Sequence, residues 1–449
     1  MTREIDVSVI IPTHNRRPLL AECLEGIHPQ RGVARGKRPW HWFPADRPPR
    51  LGDMRRFFLP GVLLLVLFEC ANVYFIMPMP GSQRMRSLDL AYALWSARWV
   101  VRGIATTLMA LGAVGILGAA PARARYTQLL PGLLVAAVVT WVVNFRMAAD
   151  AMFLPPTVVK MAAADSNAVA LDRLVVGIEV NGDARAYPLQ VIGYHHHLRD
   201  TVGGEDMLVT YCTVCRTGRV YSPRVDAESQ DFRLVGMDHF NAMLEDVRTG
   251  SWWRQANGEA VVGPRKGTLL REIPSRQITL KQWLALYPHS RILQPDPAFT
   301  SEYAKDYAYE RGTSRKKLTG TDTSSWADKS WVVGLTVRGR SRAYDWNALE
   351  RTKVINDVLN GTPVVLALAS DSLSFYAFER PDSATVFRVE NDSLITGAGA
   401  GMRAFAFNGK GPGGSLVPLV ASQEFWHSWR TFQPNTDQYP SIARGERAR

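Results

Sequence analysis

The chain has 449 residues, too many for one ordinary domain, and its 13 Trp, 14 Tyr and 17 Phe are enough for sizeable hydrophobic cores. Its net charge of +12 is concentrated in the first 160 residues, whereas residues 161–449 hold 34 basic and 32 acidic side chains. This distribution argues against nucleic acid as a partner. The presence of only four cysteines excludes a disulfide-stapled small fold.

Residues 1–56 are predicted to form an irregular N-terminal segment. A β-type run at residues 7–13 and a helix-like run at residues 17–27 resemble the first strand and helix of family 2 glycosyltransferases. The resemblance implies a nucleotide-sugar site but ends there, and a lone strand and helix cannot bury their own faces. We interpret the segment as vestigial, with Met54 as an alternative start of translation.

Residues 57–147 are predicted to hold three transmembrane helices, at residues 57–79, 99–120 and 129–145. Arginines before the first span and between the last two favour an inner-membrane, multi-pass topology with the C-terminal region on the extracytoplasmic side. The lipid bilayer is therefore a predicted partner. Glu69 and Asn72 lie near the middle of the first span, where helix packing is the preferred interpretation and an ion or proton site is the alternative.

The remaining sequence consists of short β-type runs and contains an internal repeat. Residues 175–221 align without gaps to residues 332–378, with ten of 47 positions identical. We assign residues 160–325 to a first repeat and residues 326–440 to a second, degenerate one. The predicted fold class is an all-α transmembrane segment of three helices, followed by a mainly β, mixed α+β region built from two tandem repeats.

The repeat unit is predicted to begin with a β-hairpin that turns at Asn181-Gly182. A short helix is expected from Leu189, followed by a turn at residues 200–204 and a strand at residues 207–211. Cys212 then stands at the end of that strand.

The repeat provides an internal control for the residues that carry chemistry. Cys212 and Cys215 align with Ala369 and Ser372, and three consecutive histidines align with Thr352, Lys353 and Val354. Because the second repeat lacks these thiols and imidazoles, the scaffold does not require them. We therefore expect the first repeat to be the functional half. The three histidines are His195, His196 and His197.

The leading hypothesis is a soft or borderline metal ion, Zn²⁺ or Cu⁺, bound by Cys212 and Cys215. Two thiols supply half of a tetrahedral site, and His195, His196 and His239 are the candidates for the remaining ligands. An alternative is an enzyme of the thiol–disulfide exchange class, in which Arg216 would favour the thiolate of Cys215. The two sulfurs could also form an inert structural bridge or remain buried thiols.

A third possibility is a non-catalytic module whose two repeats form a groove for a small ligand or a cell-envelope glycan or peptide. Whether the protein is an enzyme stays open. Two other features have simpler interpretations, a solvated loop for residues 315–317 and hydrophobic core for five tryptophans. These are Trp252, Trp253, Trp283, Trp426 and Trp429.

Several motifs together are specific to one family. They are RAYP at residues 185–188, GYHH at 193–196, DTVGG at 200–204, TYCTVCRTG at 210–218, GMDHFN at 236–241, SWWRQ at 251–255 and QEFWHSW at 423–429. Across residues 150–440 the chain resembles the domain-of-unknown-function 3179 family. The resemblance implies a bacterial protein of a family without an established activity.

Overall fold

The computed structural model of the chain describes residues 51–412 and 414–440. The predicted glycosyltransferase-like strand and helix lie outside these residues. The described part begins with a helical bundle, which contains α1 (Phe58–Ile76), α2 (Leu88–Ala119), α3 (Ala122–Val142) and the short α4 (Ala149–Met152).

Three of the described helical segments are long and apolar enough to cross a membrane, which indicates membrane association. They are Gly52–Ile76, Leu88–Ala119 and Ala122–Met147. The second and third begin earlier than predicted. In α2 the additional turns carry Tyr92 and Trp95, which pack against the β-rich region.

A polar network joins the three long helices. Arg102 of α2 donates two hydrogen bonds to Glu69 of α1, at 2.7 and 3.0 Å, and a third to Asn144 Oδ1 at 2.7 Å. The Asn144 amide in turn donates to Glu69 at 3.1 Å. Glu69 is fully buried and paired, so the packing interpretation of this residue is confirmed.

The region after the helices is mainly β with short helices, as predicted. Its first part contains β1 (Met161–Ala162), β2 (Leu174–Val180), β3 (Asp183–Pro188), α5 (Leu189–His195), β4 (His197–Val202), β5 (Glu205–Cys212), β6 (Thr217–Tyr221), β7 (Arg224–Val225), β8 (Glu228–Ser229), β9 (Phe232–Asp238), β10 (Asn241–Asp246), β11 (Trp252–Arg254), β12 (Ala260–Val262), β13 (Arg276–Thr279), α6 (Leu280–Leu286) and β14 (Arg291–Leu293).

Its second part contains β15 (Trp331–Val337), β16 (Arg340–Asp345), α7 (Trp346–Thr352), β17 (Val354–Leu359), β18 (Thr362–Leu368), β19 (Phe375–Glu379), β20 (Phe387–Glu390), β21 (Ser393–Thr396), β22 (Arg403–Ala406), β23 (Lys410–Gly411), β24 (Gly414–Ser415), β25 (Val417–Pro418), β26 (Ala421–Phe425), α8 (Trp426–Phe432) and β27 (Asp437–Tyr439). The predicted hairpin at Asn181-Gly182 and the helix from Leu189 are both confirmed.

The two parts share the order of the elements that build and cover their main sheets. In the first part the main sheet has the order β1-β14-β3-β2-β13, and in the second it has the order β27-β16-β15-β26. In both, a parallel strand follows the helix that covers the sheet. The elements from β2 to β5 begin 157 residues before their counterparts from β15 to β18. We call the two parts the first unit and the second unit.

Individual contacts also recur in the two units. A Cβ atom at Gly177 would collide with the Trp283 ring, and one at Gly334 would collide with the Trp429 ring. The Tyr187 hydroxyl donates to Asp200 at 2.7 Å, and the Tyr344 hydroxyl to Asp357 at 2.8 Å. The five tryptophans predicted to be core are all buried, with Trp426 the most exposed at 8%.

The sheet of β9 to β12 packs directly on the helical bundle. Trp95 of α2 and Trp252 of β11 both donate their indole N–H to Glu245, at 2.8 and 2.9 Å. At Gly236 of β9 the strand backbone approaches the end of α1 closely, because a Cβ atom there would collide with the Ile76 carbonyl oxygen. One hydrophobic core thus includes the ends of the helices, this sheet and both cysteines of the CTVC motif.

Candidate functional site

The CTVC motif forms the turn between two antiparallel strands. Cys212 is the last residue of β5 and pairs with Thr217, the first residue of β6. Both thiols are free and have no exposed surface. A turn of this kind places two sulfur atoms on the same side of the chain at the end of a rigid hairpin.

The sulfur atoms share one hydrogen-bond acceptor on a neighbouring hairpin. Cys215 Sγ lies 3.3 Å from the Phe240 carbonyl oxygen, and Cys212 Sγ lies 3.6 Å from the same oxygen. Phe240 and His239 form the tip between β9 and β10, and both have positive φ angles, of 67° and 50°. Bulky residues rarely adopt this conformation, so the tip that covers the thiols is strained.

The hairpin tip is held from the membrane side. Gln83, in the connection between α1 and α2, accepts a hydrogen bond from the Phe240 backbone N–H at 3.2 Å. Its own amide donates to the Met77 carbonyl at 3.3 Å, and its side chain is buried. The cover over the thiols is therefore connected to the helical bundle by a short path of hydrogen bonds.

The two thiols differ in acidity. Burial alone would raise the pKa of Cys212, but the Cys215 thiol and backbone N–H groups that donate to its sulfur hold that pKa below its usual value. Burial and the neighbouring Cys212 sulfur raise the pKa of Cys215 well above its usual value. The arrangement favours one thiolate, at Cys212, beside one protonated thiol, at Cys215.

The second unit completes this site. Lys329 Nζ donates to the Val214 carbonyl at 2.8 Å, and His427 Nε2 lies 3.2 Å from the same oxygen. The Phe425 backbone N–H donates to the Cys215 carbonyl at 2.9 Å. Burial lowers the pKa of Lys329, although the two sulfurs oppose this effect by favouring the charged ammonium.

Arg216 does not act on the thiols as predicted. Its guanidinium donates to Gln423 Oε1 at 2.9 Å and to two backbone carbonyls, and it lies 3.7 Å above the Trp331 ring. The positive φ angle of Arg216, 57°, turns the side chain away from the cysteines and into the junction of the two units. The cation that does lie beside the sulfurs is Lys329.

The histidines of the GYHH motif are not brought to the thiols. His195 Nδ1 lies 2.6 Å from the Leu154 carbonyl and Nε2 lies 2.8 Å from the Tyr303 hydroxyl, so both ring nitrogens are occupied. His196 caps α5 with a φ of 64°, and its Nδ1 lies 2.9 Å from the Tyr194 carbonyl. The expected convergence fails because the run lies at a helix end rather than along one strand.

His239 belongs to the hairpin tip that covers the thiols, but its imidazole is directed toward Asp238. Its Nδ1 lies 2.6 Å from Asp238, which also accepts from Arg254 at 2.6 Å. In the described part of the chain, no three His, Cys, Asp or Glu side chains form a metal-binding group. The predicted four-ligand site of Cys212, Cys215 and two histidines is therefore not assembled.

The corresponding turn of the second unit is filled by polar side chains. Ser370 donates its backbone N–H and its hydroxyl to Asp392, at 2.7 and 2.9 Å. Asp392 belongs to a hairpin tip, Asn391-Asp392, that also has two positive φ angles. A carboxylate thus closes the second unit where two thiols face a carbonyl oxygen in the first.

Sequence reasoning missed Lys329, Phe240 and the role of His427. His427 and Phe240 lie within the motifs quoted above, so the motif set already pointed to these segments. Lys329 carries no such signal, because it stands alone just before β15 and reaches the CTVC turn only through the packing of the two units.

The chain was compared with known families and proteins. A family model described as "Protein of unknown function (DUF3179)" matches residues 154–436. This range covers more than half of the chain and includes all the residues of the thiol site except Gln83. No curated protein and no solved structure matches the chain.

Proposed function

We propose, from the premise that the chain belongs to the DUF3179 family, that it is a membrane-anchored protein carrying a redox-active dithiol, Cys212 and Cys215. The observation that carries the proposal is the CTVC turn itself, in which two free, fully buried thiols face one carbonyl oxygen and Lys329 lies beside them. A thiolate beside a protonated resolving thiol is the arrangement that thiol–disulfide exchange requires.

The exchange proceeds in two steps with a disulfide-containing partner. The Cys212 thiolate attacks one sulfur of the partner's disulfide, forming a mixed disulfide and releasing one partner thiolate. Cys215 then loses its proton and attacks the Cys212 sulfur, which forms the Cys212–Cys215 disulfide and releases the second partner thiolate. The partner gains two electrons and the dithiol loses two, and the reverse sequence oxidises a dithiol partner.

Two features support access of a partner to this buried pair. The strained tip at His239-Phe240 is half-buried rather than buried, so its displacement uncovers the sulfurs. On the other side of the turn, Thr213 lines a cleft of ≈ 470 Å³ with Tyr194, Tyr303 and Tyr309 among its walls. The Tyr309 hydroxyl donates to the Thr213 carbonyl at 3.0 Å.

The proposal includes the side of the membrane on which the β-rich region lies. The β-rich region contacts both the α1–α2 connection and the segment after α3, which lie on one side of a three-span bundle. The arginine distribution favours the extracytoplasmic side, where disulfide exchange is an ordinary reaction.

We interpret the matching elements of the two units as the product of a tandem duplication, after which only the first unit kept its thiols.

A redox titration of the full chain in nanodiscs tests the dithiol. Cys23 and Cys70 are first replaced by serine, so that only the CTVC thiols react. We expect a two-electron couple within the range of about −120 to −270 mV spanned by exchange proteins, read by alkylation and intact mass. A potential below about −300 mV would contradict the proposal, because it is typical of an inert bridge.

Trapping of a mixed disulfide provides the matched control. With oxidised glutathione as the probe, the Cys215→Ser variant is expected to retain one glutathione on Cys212. The Cys212→Ser variant is expected to retain little, because the remaining thiol is the less acidic one. Equal labelling of both variants would contradict the assignment of roles.

A second candidate function is the binding of a soft ion by the two sulfurs. The observation that favours it is their convergence on one carbonyl oxygen, and Cu⁺ accepts thiolate ligands readily. Zn²⁺ is less well served, since neither His195, His196 nor His239 joins the pair. Elemental analysis after Cu⁺ loading, compared with a Cys212→Ser/Cys215→Ser variant, distinguishes the two functions; identical metal content in both would remove this candidate.

A further inference from the structure

A cleft of ≈ 310 Å³ lies between the two units, and its lining residues do not include the CTVC turn. The first unit contributes Arg219, Asn257 and Glu272 to its walls, and the second contributes Thr336, Trp429 and Gln433. This volume is at the lower end of the range for ligand pockets. A site of this size suits one ring rather than a long chain.

The charged groups at the cleft are one guanidinium and two carboxylates. The Arg219 side chain is 91% buried and donates to Glu272 at 3.0 Å and to Glu424 at 2.6 Å. Its Nε–H has no hydrogen-bond partner among the residues that the structure describes. One guanidinium therefore faces two carboxylates, which leaves an excess of one negative charge and favours a neutral ligand with hydroxyl groups over an anion.

The duplicated architecture supplies an internal comparison for this cleft. At the equivalent place on the other unit, the positions of Arg219 and Ala256 are taken by Tyr376 and Phe407, whose rings stack at 4.3 Å. These rings belong to a hydrophobic cluster that also contains Trp283, the counterpart of Trp429. The equivalent space is therefore closed by aromatic packing.

At the open cleft, smaller or more polar side chains take the positions that aromatic rings occupy in its closed counterpart. Ala256 removes a ring, Arg219 replaces a phenol with five N–H donors, and Gln433 takes the position of Tyr287. The loss of core packing at three positions has a stability cost of the kind expected where a site is maintained for binding. The glycine-backed Trp429 ring remains and provides an apolar wall.

We propose that this cleft binds one ring of a neutral saccharide. Amide, carboxylate and guanidinium groups form in-plane hydrogen bonds with the hydroxyl groups of a sugar, and an indole wall packs against its C–H face. The inference does not depend on the dithiol, because the cleft and the CTVC turn share no residue.

Saturation-transfer NMR on the full chain in nanodiscs tests the proposal. The probes are maltotriose and N,N′,N″-triacetylchitotriose, and no alkyl-glycoside detergent is used at any stage, because its head group would compete. We expect saturation of one terminal or central ring, with a dissociation constant in the millimolar range or tighter. Inorganic phosphate is the anionic comparison.

Two variants locate the binding. Ala256→Phe copies the closed counterpart and is expected to weaken saccharide binding at least tenfold. Glu272→Gln changes only a partly exposed carboxylate at the rim and is expected to weaken saccharide binding at least threefold. If Ala256→Phe does not fold, the Glu272→Gln result alone tests the location of the site. Glu205→Gln, which alters a comparable carboxylate paired with Arg271 outside the cleft, is the matched control.

The proposal is overturned by any of three results. These are no saturation transfer to either saccharide, binding that Glu272→Gln leaves unchanged, and displacement of the saccharide by equimolar phosphate. Failure of the dithiol proposal leaves these readouts unaffected.

Discussion

We expect Lys329 to favour ionisation of the Cys212 sulfur, if the dithiol functions as proposed. Replacing it with methionine removes a cation beside both sulfurs. We expect the pH of half-maximal Cys212 alkylation to rise by about one unit, because the thiolate loses a nearby opposite charge. The measurement uses the background without Cys23 and Cys70, with iodoacetamide as the reagent.

Two further variants make that result specific. Lys317→Met removes an exposed lysine from the solvated loop and is expected to leave the alkylation profile unchanged. Lys329→Arg restores a cation and is expected to return the midpoint toward that of the parent. An unshifted midpoint in Lys329→Met would show that the cation does not act on the sulfurs.

His196 is expected to make the protein sensitive to acid. Burial lowers the pKa of this imidazole from 6.5 to about 4. Because the folded-state pKa lies below the unfolded-state value, the full stability is present above pH 6.5 and decreases as the pH falls toward 4, by up to about 3 kcal/mol. His196→Asn should remove this part of the loss, since asparagine tolerates the positive φ angle.

The acid sensitivity is measured as the free energy of unfolding in urea at pH 7.5 and pH 4.5. His289→Asn, at an exposed histidine, serves as the control and should change neither value. An equal pH dependence in His196→Asn and the parent protein would be inconsistent with a buried neutral imidazole at this position.

At the scale of elements, we expect the hairpin of β9 and β10 to limit access to the thiols. Its strained tip is kept over the sulfurs in part by the hydrogen bond to Gln83. Gln83→Ala leaves the Phe240 N–H without this acceptor, at a cost of about 1–2 kcal/mol. We expect native-state alkylation of Cys212 to become roughly five- to thirtyfold faster, as more molecules have the tip displaced.

Asn356→Ala is the matched control for that experiment. Asn356 also donates to a backbone carbonyl, that of Phe387 at 2.8 Å, but it does not touch the hairpin tip. An alkylation rate that rises equally in both variants would indicate general destabilisation rather than release of the tip.

The elements themselves were largely predictable from the sequence. Asn181-Gly182 between alternating apolar residues identified the first hairpin, and the helix from Leu189 was placed correctly. The histidine run was misplaced, because no local signal distinguishes a helix that ends at His195 from a strand. The left-handed conformation of His196 reverses the chain there and separates its ring from those of its neighbours.

At the scale of the whole molecule, we expect the free energy of unfolding to depend on the ion pair between Glu69 and Arg102 in the helical bundle. Glu69→Gln or Arg102→Met alone leaves one buried charge without its partner, and we expect a loss of about 3–5 kcal/mol. The double variant Glu69→Leu/Arg102→Met should recover much of this loss, since apolar pairs of similar volume substitute well for buried ion pairs. Unfolding in mixed detergent micelles, followed by tryptophan fluorescence, measures all three.

Additive losses in the double variant would contradict the pairing, because independent positions show no coupling. Thr106→Val, at an exposed position of the same helix, is a suitable control and should have little effect.

The sequence did not predict which residues of the second unit surround the CTVC turn. His427 lies 213 positions from the carbonyl that it meets, and Lys329 lies 115 positions from the same group. Periodicity and local motifs report on neighbours a few residues apart. Which residues of the second unit approach the CTVC turn is determined by the packing of two whole units, and one sequence contains no direct record of that packing.

The glycine contact between β9 and α1 has a mechanical consequence. With no side chain at Gly236, the strand backbone is in direct contact with the end of α1, so the base of the β9–β10 hairpin is fixed on the helical bundle. If the helices span the bilayer as proposed, the sulfurs work at a constant height above the lipid head groups. A redox partner must then reach that height itself, and proteins residing at the same membrane surface are better placed to do so than freely diffusing ones.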